Sequence, residues 1–211
     1  MAAFKIVAFD MDGTLANTFP IIFKSFERTV KTYTGEDVND QTIHETFGLN
    51  EQGMLKELIP NYSPNALQTF YEDYADEHKK LTKPFDGIYE LLDNLHHAKV
   101  ITPLVTGKGT VSAQISLKSL GLKNYLSPVL TGSPAGPNKD KNFERLISQY
   151  KIKPSEMVYI GDTVGDYKLS KKAGIECYSA GWAPSTKVED IKAVNPHVFM
   201  TIKDLQEALL K

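Results

Sequence analysis

The sequence contains one cysteine, Cys177, and one tryptophan among its 211 residues. A single cysteine cannot form an intramolecular disulfide or a multi-cysteine metal site, which excludes a disulfide-stabilised miniprotein and favours a reducing compartment. No segment approaches the ~20 consecutive apolar residues that a membrane-spanning helix needs. The apolar run at the N-terminus ends at Asp10 and has no signal-peptide pattern, so we expect a cytoplasmic protein.

Neither sign of charge dominates the sequence. Lys and Arg together number 24 and Asp and Glu number 26, which gives a formal net charge of −2. Without a general basic field, neither a nucleic-acid-binding nor a membrane-surface protein is predicted. With 41% hydrophobic residues, the chain can bury a core as two modest domains or as one domain with an insertion.

Short apolar runs rich in β-forming residues alternate with segments of helical period. The runs occupy residues 4–9, 100–105, 128–130, 157–160 and 176–179. Two helical faces are clearest, and they consist of Ile88, Leu91, Leu92 and Leu95 and of Phe143, Leu146, Ile147 and Tyr150. Strands that alternate with helices indicate repeated βαβ units, so we predict an α/β fold with a doubly wound parallel sheet.

The stretch from about residue 20 to 83 has helical patterns and no convincing strand. Its first helix has Pro20 in the first turn and Gly35 at the end, where these residues are favoured. Two shorter helices and a last one over about residues 64–81 complete a small bundle. We therefore predict a helical domain over residues 17–83, inserted into an α/β domain formed by residues 1–16 and 84–211.

Two carboxylates follow the first predicted strand directly. Asp10 and Asp12 are two residues apart, so on an extended backbone they point the same way from the carboxyl end of the strand. Ligands bind at that edge of an open α/β sheet. Because neighbouring carboxylates repel each other unless a cation or a shared proton offsets them, the pair is a candidate metal or acid–base site.

A second acidic cluster follows another apolar strand. Asp162 lies at the strand end, and Asp166 lies four residues later, where a helix start would place it on the same side. For Asp166, capping of the helix N-terminus is an equal alternative. For Asp162 together with Asp10 and Asp12, capping is not sufficient, and hard oxygen ligands of this kind suit Mg²⁺.

Three segments in this order carry a family resemblance. Residues 10–15 (DMDGTL), 103–107 (PLVTG) and 161–166 (GDTVGD) match the first, second and fourth motifs of the haloacid dehalogenase superfamily of phosphatases. The helical stretch after the first motif resembles the cap of phosphoglycolate phosphatase-like members. The resemblance covers essentially the whole chain and implies a Rossmann-like core with an inserted α-helical cap.

The resemblance also implies roles for the acids. Asp10 would be the nucleophile that forms an aspartyl-phosphate, and Asp12 would be the general acid and base. Mg²⁺ would be bound by Asp10, by the backbone carbonyl of Asp12 and by Asp162. Asp166 would be a further ligand or an outer support.

Phosphate binding is expected from the second and third motifs. Thr106 and Gly107 would donate hydrogen bonds to phosphate oxygens, whereas Lys108 is expected at the surface or rim. The motif-three lysine departs from the family pattern, because Lys139 and Lys141 are both available and neither is followed by proline. We favour Lys139, since it lies just before Asp140, the expected N-cap of the next helix.

The expected function is Mg²⁺-dependent hydrolysis of a small phosphomonoester such as phosphoglycolate or a sugar phosphate. The alternatives are a β-phosphoglucomutase-like mutase, an inorganic pyrophosphatase and a non-catalytic phosphate-binding protein. Residues 48–51 (GLNE) lack the Ser-Arg expected of the mutase. Phe19, Phe23 and Phe47 either line the substrate entrance or fill the bundle core. We expect no nucleic-acid or membrane partner, and a monomer or small homo-oligomer.

Overall fold

The computed structural model describes residues 4–211 and contains a sheet of six parallel strands. Their bounds are β1 (Ile6–Phe9), β2 (Leu104–Val105), β3 (Val129–Leu130), β4 (Met157–Gly161), β5 (Glu176–Ala180) and β6 (Val198–Phe199). The strands lie in the order β3-β2-β1-β4-β5-β6. The predicted α/β fold with a doubly wound parallel sheet is confirmed.

Strand β1 lies at the centre of the sheet and is buried along its whole length. It pairs with β4 through Phe9 opposite Ile160, and with β2 through Phe9 opposite Leu104. The chain builds the sheet outward to β3 and then returns to the other side of β1 to form β4. Such a reversal of strand order opens a crevice at the carboxyl ends of the central strands, where ligands bind.

Helices cover both faces of the sheet. Their bounds are α5 (Ile88–His97), α6 (Thr110–Ser119), α7 (Lys139–Tyr150), α8 (Val164–Lys172), α9 (Val188–Lys192) and α10 (Ile202–Leu209). Successive residues of β1 point to opposite faces, so Val7 and Phe9 pack in the core with α5, α6 and α10, whereas Ile6 and Ala8 pack in the core with α7. Among the helices of residues 4–211, none has the length and apolar character needed to cross a bilayer.

The strand predictions differ from the structure mainly at β2 and β6. The run over residues 100–105 forms a strand only at β2, because Pro103 has no N–H to donate to a ladder; Ile101 makes an isolated bridge with Ile6. Strand β6 was not predicted; its two residues are apolar and half-buried. Helices α9 and α10 were also missed.

Four helices and one turn of 3₁₀ helix follow β1 as an insertion. Their bounds are α1 (Phe19–Thr34), α2 (Asp40–Glu45), α3 (Glu51–Leu58), α4 (Pro64–Glu77) and the 3₁₀ turn His78–Lys80. Helix α1 ends as predicted at Gly35, whose φ of 76° is left-handed and whose N–H donates to the carbonyl of Lys31. The four helices share an apolar core around Phe26 and Phe70, separate from the two cores that flank the sheet.

The chain enters and leaves the insertion at neighbouring points. The backbone N–H of Phe85 donates to the carbonyl of Leu15 at 2.9 Å, so the outgoing and returning segments lie side by side. Residues 1–3 of the predicted α/β domain lie outside the described residues.

The inserted helices contact α6 through buried polar groups. The Tyr74 hydroxyl lies 2.8 Å from the Ser116 hydroxyl, and His78 Nε2 lies 3.0 Å from the same group. At the other end of α6, the buried Glu51 carboxylate accepts hydrogen bonds from the Gly109 N–H at 2.7 Å and from the Ser112 hydroxyl. Burial lowers the pKa of His78, so this interface holds a neutral imidazole.

Replacing Glu51 by alanine should destabilise the fold, because the buried Gly109 N–H and Ser112 hydroxyl would lose their acceptor. The expected loss in the free energy of unfolding is about 1–3 kcal/mol. Urea denaturation measures it. The matched control is Glu57→Ala, an exposed residue of the same helix, with an expected change within about 0.5 kcal/mol. Equal stabilities of the two variants would contradict this account of the interface.

Candidate active site

Three buried carboxylates converge where β1 and β4 end. Asp10 follows β1, Asp162 follows β4, and Asp166 lies in the first turn of α8. One oxygen from each lies within 4.8 Å of the other two. Gly13 makes room for them: its φ is +72°, and an added Cβ would lie 2.1 Å from Asp162 Oδ2. The structure therefore brings together the acids of the first and fourth motifs.

The close packing of the buried carboxylates is electrostatically unfavourable unless positive charge lies nearby. Burial raises the pKa of Asp10 to about 6, and the charges of Asp166 and Asp12 add to the rise while Lys139 opposes it. Burial, followed by Asp166 and Asp10, raises the pKa of Asp162 well above its ordinary value. Crowded carboxylates thus resist ionisation until a cation offsets their charge.

Lys139 supplies part of that charge. Its Nζ lies 2.7 Å from Asp10 Oδ2 and 2.7 Å from Asp166 Oδ1. Burial alone would lower the pKa of Lys139, but Asp10 and Asp166 outweigh it and raise the pKa, so the ammonium stays charged. One ammonium group cannot balance three carboxylates. The remaining negative charge and the all-oxygen donor set fit a hard divalent cation such as Mg²⁺.

Asp166 also caps helix α8. Its Oδ2 accepts hydrogen bonds from the Thr163 N–H at 3.1 Å and from the Thr163 hydroxyl at 2.7 Å. The Thr163 hydroxyl in turn accepts from the Asp166 N–H at 3.1 Å, which completes a capping box. The two interpretations of Asp166 are therefore compatible, since one oxygen caps the helix and the other contacts Lys139.

Asp12 has a different set of partners. Its Oδ1 lies 3.0 Å from Lys108 Nζ and accepts a hydrogen bond from the Thr18 hydroxyl. The expectation that Lys108 lies at the surface was wrong: the residue is 5% exposed, and its Nζ also lies 4.8 Å from the centre of the Tyr74 ring. Burial opposes its charge, but Asp12 raises the pKa of Lys108, so this ion pair persists in the interior.

The second motif lies beside these acids. Thr106 follows β2 and is fully buried, and its hydroxyl accepts a 3.3 Å hydrogen bond from the Lys108 N–H. Gly107 lines the cavity above the acids. An added Cβ on Gly132 would lie 1.9 Å from the Gly107 carbonyl oxygen, so the loops after β2 and β3 pack backbone to backbone.

The start of helix α7 determines which of Lys139 and Lys141 lies beside the acid cluster. The helix starts at Lys139 itself with Asn138 as N-cap, so the expectation that Asp140 caps it was wrong. Asp140 instead lies 2.6 Å from Lys172 Nζ. Lys139 is aimed at the acids from the first helical position, whereas Lys141 is exposed.

Sequence reasoning missed Glu51. An acidic residue after Asn50 at a helix start suits the helix dipole, and this ordinary interpretation gives no local sign of its contact with α6. Together with the acids, it lines a cavity of about 880 Å³ between the inserted helices and the sheet edge.

The comparisons with known proteins agree with this architecture. The family model "Haloacid dehalogenase-like hydrolase" matches residues 7–180. Pyrophosphatase PpaX of Halalkalibacterium halodurans is 28% identical over 180 residues, which are 84% of this chain and 83% of that protein. A phosphoglycolate phosphatase of Vibrio parahaemolyticus is 25% identical over 206 residues, with 91% and 90% of the two chains covered.

Solved structures show the same fold. A crystal structure described as a predicted phosphoglycolate phosphatase of Haemophilus somnus superposes with a TM-score of 0.79 at 18% identity, covering 98% of each chain. A haloacid dehalogenase-like hydrolase of Streptococcus pneumoniae superposes with a TM-score of 0.71 at 20% identity, covering 98% of this chain and 99% of that one. The resemblance drawn from the motifs is confirmed, and the chain belongs to the haloacid dehalogenase-like hydrolase family.

Proposed function

We propose that this chain is a Mg²⁺-dependent phosphatase that hydrolyses a small phosphomonoester through an aspartyl-phosphate intermediate. The observation that carries the proposal is the convergence of Asp10, Asp162 and Asp166 at the carboxyl edge of β1 and β4. The ammonium of Lys139 contacts two of them, Asp10 and Asp166. The names of relatives, phosphoglycolate phosphatase and pyrophosphatase, support the reaction class.

Asp10 is the proposed nucleophile. Its Oδ1 accepts a 2.7 Å hydrogen bond from the Met11 N–H, and its Oδ2 contacts Lys139, so both oxygens have fixed directions. In the first step an Asp10 oxygen bonds to phosphorus while the bond from phosphorus to the leaving oxygen breaks. In the second step water bonds to phosphorus and the bond to Asp10 breaks, which regenerates the carboxylate.

Asp12 is the proposed general acid and base. In the first step it gives a proton to the leaving oxygen, and in the second it takes a proton from the attacking water. The overall reaction consumes one water molecule and yields an alcohol and inorganic phosphate. Lys108 and Thr18 both contact Oδ1 of Asp12, and these two contacts fix the position of its carboxyl group.

The proposed metal site consists of Asp10, the backbone carbonyl of Asp12, and Asp162, with Asp166 as a further ligand or support. When bound there, Mg²⁺ supplies the positive charge that lets an anionic nucleophile approach an anionic phosphate. Thr106, Gly107 and Lys139 are the proposed donors to the phosphate oxygens.

The inserted helices are the proposed cap domain, with the boundaries 17–83 against 1–16 and 84–211. Closure over the cavity would exclude water during phosphoryl transfer and select the leaving group. We propose a cytoplasmic enzyme whose partner is its small-molecule substrate. Inorganic pyrophosphate is the second candidate substrate, because several relatives are named pyrophosphatase.

Phosphate release from a panel of phosphomonoesters and pyrophosphate tests the reaction class. We expect release in the presence of Mg²⁺, its loss with excess chelator, and its return when Mg²⁺ is restored, because the acid cluster needs a cation. No release from any compound with Mg²⁺ present would refute the proposed function. Release that is unaffected by chelator would refute the metal assignment alone.

Asp10→Asn should reduce turnover by about 10⁴-fold or more, since it keeps the side-chain volume but removes the nucleophilic carboxylate. Mass spectrometry of acid-quenched enzyme should find a phosphoryl group on the peptide that contains Asp10, and none in the variant. The control is Asp86→Asn, an exposed residue that should keep full activity. Substantial activity in Asp10→Asn would rule out the covalent mechanism.

Lys139→Met should lower kcat/KM by about 10²-fold or more, because it removes a charge directed at the phosphate and the nucleophile. Lys141→Met is the matched control, two residues away but exposed, with an expected change within about twofold. Steady-state kinetics on the best panel substrate decide between the two lysines. A larger loss in Lys141→Met would reverse the assignment.

A further inference from the structure

Three phenylalanine rings form one wall of the cavity above the acids, and we call Phe19, Phe23 and Phe47 the aromatic wall. Their ring centres lie 5.9–6.3 Å apart, and their planes differ by 9–28°. His44 continues the wall, with its ring centre 4.9 Å from that of Phe47. The rings therefore share nearly one orientation.

The aromatic wall is not required to fill the bundle core. Phe26 and Phe70 pack against each other at 4.5 Å between ring centres and fill that interior. Both also border the cavity, but each is only 1% exposed. The wall phenylalanines are only partly buried and face the cavity. Ring surface left in contact with solvent inside a cavity is available to a ligand.

The aromatic wall begins next to the acids. A Cβ added to Gly13 would lie 2.1 Å from Asp162 Oδ2 and 3.1 Å from Cε2 of Phe19, so the carboxylate and the ring edge flank the same glycine. A phosphoester whose phosphorus lies at Asp10 would therefore place its leaving group beside Phe19. The rest of the wall extends from there toward Phe23 and Phe47.

The charges around the cavity disfavour a second anionic group on the substrate. Within residues 4–211, the cations that line it are Lys108, Lys139 and Lys187. Lys108 is paired with Asp12, and Lys139 is paired with acids of the cluster. Lys187 is exposed and shares its part of the lining with Asp190. Asp40 and Glu51 add negative charge on the side of the inserted helices.

We propose that the substrate is a phosphomonoester whose alcohol carries a flat aromatic ring and no second anionic group, with the ring stacked on the aromatic wall. This inference rests on the proposed phosphatase function and narrows its substrate class. The reaction is the hydrolysis described above, and the alcohol that leaves with the proton from Asp12 is the ring-bearing one. Because the aromatic wall binds the leaving group, a substitution in the wall should change the preference among substrates.

Three phosphomonoesters with alcohols of similar acidity test this without any variant. With Mg²⁺ present, kcat/KM for benzyl phosphate should exceed that for ethyl phosphate by about tenfold or more. It should also exceed that for cyclohexylmethyl phosphate, which has equal bulk but no flat ring. 2-Phosphoglycolate, which carries a carboxylate, should be poorer than benzyl phosphate. A preference for 2-phosphoglycolate, pyrophosphate or the cyclohexyl ester would overturn the inference.

Phe47→Leu tests the aromatic wall itself, since leucine keeps an apolar side chain and removes the ring. The ratio of kcat/KM for benzyl over ethyl phosphate should fall about three- to tenfold. Tyr33→Leu is the control, an aromatic residue of α1 outside the cavity lining, and should keep the wild-type ratio. Equal ratios in both variants would refute the wall's role. Hydrolysis of no ester by the wild-type enzyme would instead refute the proposed function.

Discussion

The arrangement depends on one electrostatic constraint: buried carboxylates from two neighbouring strands meet at one point and need positive charge. Parallel pairing of β1 with β4 forces this meeting, because it aligns the ends that carry Asp10 and Asp162. Lys139 balances only part of the charge from the first position of α7. The remaining negative charge is what a divalent cation would offset in the proposed metal site.

Neighbouring residues hold the acid cluster in position. Gly13 lets the backbone turn where a side chain would displace Asp162. Asp12 is held by Lys108, and the Thr163 capping box fixes the direction of Asp166. The inserted helices form the wall of the cavity opposite the sheet edge, and their contacts with α6 set their position. The aromatic wall lies on this side of the cavity. The residues at the sheet edge therefore supply the acid cluster, and the inserted helices supply the opposite wall of the cavity.

Most of the fold and the acid cluster could be predicted from the sequence, because strand ends in a parallel sheet follow from local apolar runs. Lys139 was favoured on an incorrect premise, since the helix starts two residues earlier than an Asp140 cap requires. Lys108 was misjudged and Glu51 was missed because their partners lie far away along the chain. Local sequence does not encode such ion pairs and hydrogen bonds. Strand β6 consists of only two residues, which is too short to show a strand period.

The hydrogen bond between Phe85 and Leu15 has an evolutionary consequence. Because both ends of the insertion meet at one place, the sheet accepts a segment of almost any length there without moving its own strands. The entropy of closing such a loop grows only slowly with its length. The insertion can therefore be exchanged, enlarged or shortened while the acid cluster at the sheet edge stays the same. Substrate preference can then change in evolution without a change in the reaction.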